Sequence, residues 1–528
     1  MKNLPVLERW TRRTVFIYLS WILVVSMWSC HEYPPSSMED RALIPLPVSV
    51  ESTGNYFQLR HDIKIYADDR DERVEKIGEY LAHLLYPATN FDLKTETTPG
   101  HRVRGHINLL LQDEDDEELG EEGYKLEVTD SYVEISAKEP AGLIMGMATL
   151  RQLLPDAIES TTVQDSAWMI PTGLIIDYPE YEYRGAMLDV ARHFIQVEDV
   201  LRFIDYMAMY KFNRLHLHLT DDQGWRIEIK SWPRLTEYGS TTEVGGGEGG
   251  FFTQEDYKKI VEYAALRNIM VIPEIDMPGH TNAALASYPE LTCDGVAPEL
   301  YTGIEVGIST LCTSKEVVYE FVDDVIRELA ALTPGDYFHI GGDESLVTPL
   351  EDYIYFVDRV QEIADRYGKK VIGWDEISHA SLIPNSLVQY WANVDNAVRA
   401  IDQGAQVIMA PARKAYMDMQ YDSTSRIGLH WAAYIEVDEA YQWDPVQLEE
   451  EISREDIIGI EAPLWTETVT DLKDIEYLIF PRMPGHAEIG WTPAEKRDWE
   501  TYKGRLRQHL NRLDVMGVGY YRSPVLEE

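Results

Sequence analysis

Two adjacent acids, Asp343 and Glu344, follow the run Tyr337-Phe338-His339-Ile340-Gly341-Gly342. A carboxyl pair can divide labour, one group moving a proton while the other steadies developing positive charge. Residues 337–340 spell a short buried strand after the turn Pro334-Gly335-Asp336, and the two glycines free the backbone to carry the acids out of it. Side chains alternate along a strand, so neighbouring acids diverge unless the strand is already curling into a loop. Two acids alone in a loop are ordinarily just solvated. Their company decides otherwise: Asp221 and Asp222, Asp276 and His280, Trp374 and Asp375, Trp391, and Trp465 and Glu467 each stand just past an apolar run, whereas Arg184 enters one. Tryptophans beside carboxylates suit a sugar, whose C–H faces stack on aromatic rings and whose hydroxyls bond to charged groups. His216 and His218 alternate on one run and share a face, which leaves metal-dependent hydrolysis as a second enzyme reading.

The elements that must position these residues repeat a strand-then-helix rhythm after Tyr178-Pro179-Glu180. Strands are expected at 185–190, 214–220, 270–275, 337–341, 370–374, 387–391, 406–410 and 457–462, with helices at 197–210, 254–267, 315–332 and 353–367 among the spacers. About eight such units in ~300 residues point to a closed (β/α)8 TIM barrel, whose strand ends would gather all the clusters at one mouth. An open doubly wound sheet is the alternative, but its first strand usually runs into a glycine-rich phosphate loop, and here it runs into Asp189-Val190-Ala191-Arg192-His193. A smaller α/β domain is expected before the barrel, from alternating runs at 62–66, 124–128 and 132–136, an apolar run at 107–111 and a helix at 141–154. The resulting division is 44–165 for the small domain and 166–528 for the barrel, with the acidic run 113–118 as a solvated loop.

The chain has 528 residues, 45% of them apolar, enough for two folded units with sizeable cores. Its 91 acidic and 47 basic residues leave a net charge of −44, which disfavours nucleic acid and anionic membrane surfaces as partners. Lys2, Arg9, Arg12 and Arg13 precede an apolar run at 15–28, shorter than the ~20 residues of a spanning helix, so residues 1–30 read as a secretory signal. Cys30 resembles the acylated cysteine of a bacterial lipoprotein, with 31–43 as a tether, which would place the protein in the periplasm or at the cell surface on a lipid anchor. Cys293 and Cys312, the two cysteines left in the mature region of an exported chain, favour a disulfide closing their loop.

Four blocks carry a resemblance: residues 183–193, residues 215–226 with Thr220-Asp221-Asp222-Gln223-Gly224-Trp225, Pro273-Glu274-Ile275-Asp276-Met277-Pro278-Gly279-His280, and His339-Ile340-Gly341-Gly342-Asp343-Glu344. In order and spacing they are similar to the β-N-acetylhexosaminidases of glycoside hydrolase family 20, over about residues 40 to 520. The resemblance implies an exo-acting, retaining enzyme that removes terminal β-linked N-acetylglucosamine or N-acetylgalactosamine from glycans. The attacking group is the sugar's own 2-acetamido oxygen, with no cofactor and no metal. It also implies roles. Glu344 is the general acid and then the base, which requires a raised pKa, and Asp343 holds the acetamido N–H. Tyr416 bonds the acetamido oxygen, and Trp374, Trp391 and Trp465 wall the pocket with Trp431 as a fourth. Arg184 and Glu467 bind the 3- and 4-hydroxyls and Asp418 the 6-hydroxyl. Asp276, His280 and one of Asp221 or Asp222 tune Glu344 from behind. The loops 239–250 and 412–445 are expected to shape the leaving-group side. A shift toward disaccharide release or sulfated sugars, and a glycan-binding protein without catalysis, are the alternatives.

Overall fold

The computed structural model describes residues 37–112 and 119–527, so the signal, Cys30, the first part of the tether and the 113–118 run lie outside the described residues. The small domain is a seven-stranded mixed sheet in the order 49–58, 169–177, 124–129, 132–137, 107–111, 65–68, 95–98. Two helices, Glu72–Thr89 and Pro140–Leu153, pack on it. The first helix is absent from the sequence expectations because Gly78 and Pro87 weaken its signal. Its buried Val74, Ile77, Leu81 and Leu85 nevertheless recur at helical spacing, and Asp71 caps its start.

Eight parallel strands then close into a barrel in chain order: Tyr183–Asp189, Arg214–His218, Met270–Glu274, Tyr337–His339, Lys370–Trp374, Leu387–Tyr390, Gln406–Met409 and Ile457–Leu464. The last pairs with the first, Gly459 opposite Tyr183 and Leu464 opposite Leu188. All eight expected strands are present within a few residues, because each is a short apolar run flanked by a helix whose apolar stripe can cover it. Val200, Phe203, Ile204 and Met207 of helix Val197–Met209 are buried in this way, as are Phe356, Val360 and Ile363 of Leu350–Arg366.

Two expected boundaries move. Strand Met169–Asp177 pairs antiparallel with Ser49–Gln58 and with Tyr124–Thr129, so it completes the small sheet, and the barrel begins at Tyr183 rather than at 166. An apolar run of nine residues cannot announce which sheet it will join. The tether also ends sooner than 43, because Met38 and Leu43 are buried in the core of the small domain. The two units meet at the N-terminal end of the barrel around Asp177. Its Oδ1 accepts from Trp491 Nε1 (2.9 Å) and Val48 N (3.1 Å), and its Oδ2 from Tyr124 Oη (2.6 Å) and Lys211 Nζ (2.7 Å).

Candidate active site

The fourth barrel strand stops at His339, and the chain turns at once into a loop bearing the acid pair. Gly341 (φ +64°) and Gly342 (φ +103°) make the turn, and a Cβ on Gly341 would stand 1.9 Å from Asp276 Oδ1. Only glycine fits there. The Gly342 N–H donates to Asp276 Oδ1 (3.0 Å), Tyr353 Oη donates to the Gly342 carbonyl (2.7 Å), and Glu344 itself is held in the left-handed region (φ +46°). Such a φ costs a non-glycine residue about 1–3 kcal/mol and persists only where its surroundings enforce it. Asp343 and Glu344 consequently do not diverge. Both line one cavity of about 370 Å³, a size suited to one small ligand.

Behind the pair stands a relay from three other strand ends. His280, also left-handed (φ +53°), has Nε2 3.7 Å from Asp343 Oδ2 and 3.6 Å from Glu344 Oε2, and its Nδ1 is 3.1 Å from Asp221 Oδ1. Asp221 Oδ2 in turn meets Arg192 Nη2 (2.7 Å) and His218 Nε2 (3.0 Å). Burial alone would raise the Asp221 carboxyl, but Arg192 and His280 hold it well below the usual range. Burial would likewise depress His280, yet Asp221, Asp276 and Asp343 raise it far enough to keep the ring an imidazolium. Burial, then the charges of Asp276 and Glu344, push Asp343 well above an ordinary carboxyl, and burial with Glu274 pushes Asp276 up to about 7. Asp222 serves elsewhere: its Oδ1 accepts from Asn282 N (2.9 Å) and Ser309 Oγ, anchoring the loop after the third strand, so Asp221 is the member of that pair tied to His280.

The walls are aromatic. Trp374 and Trp465 lie with ring centres 5.6 Å apart, Tyr416 is 6.2 Å from Trp465, and Trp431 stands edge-on, 6.0 Å from both Trp391 and Tyr416. Their polar edges are pinned, Trp374 Nε1 to Glu274 Oε1 (2.9 Å) and Trp391 Nε1 to Glu376 Oε2 (3.1 Å). Burial, with the charges of Asp418 and Asp343, raises Tyr416 well above an ordinary phenol, so its hydroxyl keeps a proton to donate. Asp418 is buried with no side-chain donor on either oxygen, and Glu467 Oε2 and Asp343 Oδ1 are buried without partners. Burial and the charge of Glu467 raise Asp418 well above the usual range. Unpartnered buried acceptors are costly; Asp343 and Glu467 line the cavity, whereas Asp418, two residues past Tyr416, is not among its lining residues.

His216 and His218, the pair behind the metal reading, are each held by carboxylates of neighbouring strands. His216 bonds Glu461 through Nδ1 (2.8 Å) and Glu274 through Nε2 (2.9 Å), and His218 bonds Glu274 and Asp221 (3.0 Å). Against the pull of burial, Glu461 and Glu274 push His216 up to about 9. These rings bind carboxylates of neighbouring strands into a polar floor, which Tyr183 Oη (2.6 Å) and Gln389 Nε2 (2.7 Å) join through Glu461.

One expected site residue is misplaced. Arg184 enters the first strand at the end away from the mouth, where it is buried against Trp491, faces Glu122 at 2.8 Å and donates to the carbonyls of Lys211 and Tyr181. The arginine at the cavity is Arg192, eight residues on, with its guanidinium 4.7 Å over Trp465 and its Nη1 3.3 Å from Asp189. Its signal lay in the sequence at the exit of the same strand. Glu274, Glu376 and the 304–306 segment of the cavity wall also went unread, the last because nothing in Ile304-Glu305-Val306 suggests chemistry. Of the two loops expected on the leaving-group side, 412–445 supplies Tyr416, Leu429 and Trp431, whereas none of the cavity's lining residues comes from 239–250. The Cys293–Cys312 disulfide is formed.

Comparison with known proteins agrees with this geometry. The family described as glycosyl hydrolase family 20, catalytic domain, matches residues 181–353 and 346–494, and glycosyl hydrolase family 20, domain 2, matches residues 40–178. A β-N-acetylhexosaminidase of Cellulomonas fimi is 41% identical over 491 residues, 92% of this chain and 97% of that protein. The solved family 20 β-N-acetylhexosaminidase of Streptomyces coelicolor A3(2) superposes with a TM-score of 0.88 at 48% identity, covering 93% of this chain and 99% of that one. A mutant Streptomyces plicatus β-hexosaminidase in complex with its product, GlcNAc, matches with a TM-score of 0.88 at 48% identity, covering 93% and 98%. With motifs, barrel and site in agreement, this chain belongs to glycosyl hydrolase family 20 and is a glycosidase.

Proposed function

We propose that this enzyme removes terminal, non-reducing β-linked N-acetylhexosamine from glycans, and that the substrate's acetamido oxygen is the nucleophile. The observation that carries this is the convergence of Asp343 and Glu344 on one nitrogen of His280, at 3.7 and 3.6 Å. Carboxyl groups that divide into acid and nucleophile stand on opposite faces of the scissile bond, and neighbours meeting the same imidazolium share a face. Glu344 gives its proton to the departing glycosidic oxygen as the C1–O bond breaks. The acetamido oxygen closes on C1, and Asp343 accepts the acetamido N–H and balances the positive charge of the ring so formed. Tyr416, still protonated, donates to the acetamido oxygen from the other side. Water then opens the ring at C1 while Glu344 takes its proton back, returning the sugar with retained configuration.

The unpartnered oxygens of Asp418 and Glu467 suit the free hydroxyls of a terminal sugar, and Arg192 takes the position expected of Arg184. Among the described residues lining the cavity Arg192 is the only cation, against Glu305, Asp343, Glu344 and Glu467, so charge favours neutral sugars over sulfated ones. Export and acylation at Cys30 are part of the same proposal, supported by the basic-then-apolar leader and by a disulfide that suits an oxidising compartment. The test is a series of aryl N-acetylglucosaminides with zero to three fluorines on the acetyl methyl. A steep fall in kcat/KM with each fluorine is expected, because fluorine starves the attacking oxygen. A flat series, or a sugar ester trapped on a protein carboxylate, would overturn the mechanism.

A further inference from the structure

Outside the sugar pocket, one side of the mouth is apolar where water reaches it. Ile304, Val306 and Ile308 are 48%, 36% and 43% exposed, and the first two line the cavity. Leu346, Val347 and Leu350, just after Glu344, are 75%, 52% and 56% exposed. The two groups form one surface. Leu346 lies over Gly307, its Cδ1 2.6 Å from where a Cβ would be, and Thr348 Oγ1 donates to Thr310 Oγ1 (2.7 Å). The disulfide between Cys293 and Cys312 closes the base of the first loop. Exposed apolar residues scattered singly need no explanation, but six joined at the lip of a pocket mark a binding surface.

We infer that this lip receives the leaving group of the substrate and that the leaving group is a neutral alkyl chain, as in a glycolipid, rather than a second sugar. The inference rests on the hydrolase reading above. Glu344 must sit at the glycosidic oxygen to protonate it, and Leu346 follows two residues later, so whatever leaves passes over this surface. A second sugar would bring hydroxyls that lose water and need partners. None of the six lip side chains carries a polar atom or a ring; the exposed ring at the mouth, Trp431, belongs to the 412–445 loop, and the hydroxyl of Tyr301 is already taken by the Glu305 N–H. An alkyl chain gains simply by leaving water. The net charge of −44 excludes an anionic headgroup as the attraction.

The test uses methyl, butyl and octyl β-N-acetylglucosaminides, whose leaving alcohols have nearly equal acidity, so that chain length alters binding and not bond breaking. One-sided cover over part of the chain should raise kcat/KM about tenfold from methyl to octyl. Leu346→Ser with Ile308→Ser should cut that ratio to about two while leaving the methyl glycoside rate unchanged, and each single variant should fall between. Wild-type kcat/KM indifferent to chain length would overturn the inference and leave the hydrolase reading standing. Failure to cleave any of the three would bring down both. Self-association abolished by Leu346→Ser, with a flat chain-length series, would give the lip to a second copy of the chain and overturn the inference as well.

Discussion

Asp177 and Asp418 are both sealed from solvent, at 0% and 2% exposure, and yet they are built to opposite ends. Asp177, at the closed end of the barrel, accepts four hydrogen bonds, one of them from the buried Lys211 ammonium. Asp418, at the open end, has no side-chain donor on either oxygen and only the main-chain N–H groups of Asp418 and Trp465 near it. Arg184 and Arg192 repeat the contrast: Arg184 is spent on Glu122 and main-chain carbonyls, and Arg192 stands at the cavity. Burial by itself does not separate structural from functional charge. What separates them is whether the protein supplies the partner, since an acceptor left without one costs free energy that only another molecule can return.

Four experiments would break or sharpen that contrast. Glu344→Gln should lower kcat/KM on a chromogenic N-acetylglucosaminide by about 10²- to 10⁴-fold with the fold unchanged by circular dichroism, since the amide cannot donate a proton in time. A rate near wild type would remove Glu344 from its role. Asp177→Ala should act almost wholly on stability: it strands the Lys211 cation, a loss of about 3–5 kcal/mol measurable in denaturant midpoints, while kcat/KM stays within about twofold. Asp418→Asn should do the reverse, lowering kcat/KM about tenfold through a weaker bond to substrate while thermal stability holds, because no side-chain donor is lost with it. Equal destabilisation by the two substitutions would erase the distinction. The smallest effect concerns pH. Asp343 must be ionised to hold the acetamido group, and its raised pKa sets the acid limb of kcat/KM above the ordinary carboxyl range. Asp276→Asn removes a charge that opposes that ionisation, so the limb should move to lower pH. Movement to higher pH would show that Asp276 acts on the site by another route.

Much of this was legible before any coordinates. Apolar runs spaced by amphipathic helices announce eight barrel strands, and Asp343, Glu344, Trp374, Trp391 and Trp465 stand where such strands end. The expectations that failed, and the one left open between Asp221 and Asp222, share a cause. Which sheet takes Met169–Asp177, which of Arg184 and Arg192 reaches the mouth, and which of Asp221 and Asp222 faces His280 all depend on partners far along the chain or on a rotation of one residue. No local pattern records those choices.

The amino-acid order alone determined the succession of strands and helices, the collection of acids and tryptophans at one end of the barrel, and the pairing of two cysteines, because periodicity and turn chemistry are properties of short segments. Tertiary structure alone decided that neighbouring acids would meet one histidine instead of parting, that one buried aspartate would be satisfied and another left waiting, and that two loops would join into an apolar lip. Those outcomes follow from distances between segments far apart in the chain, and the closed barrel is what fixes such distances.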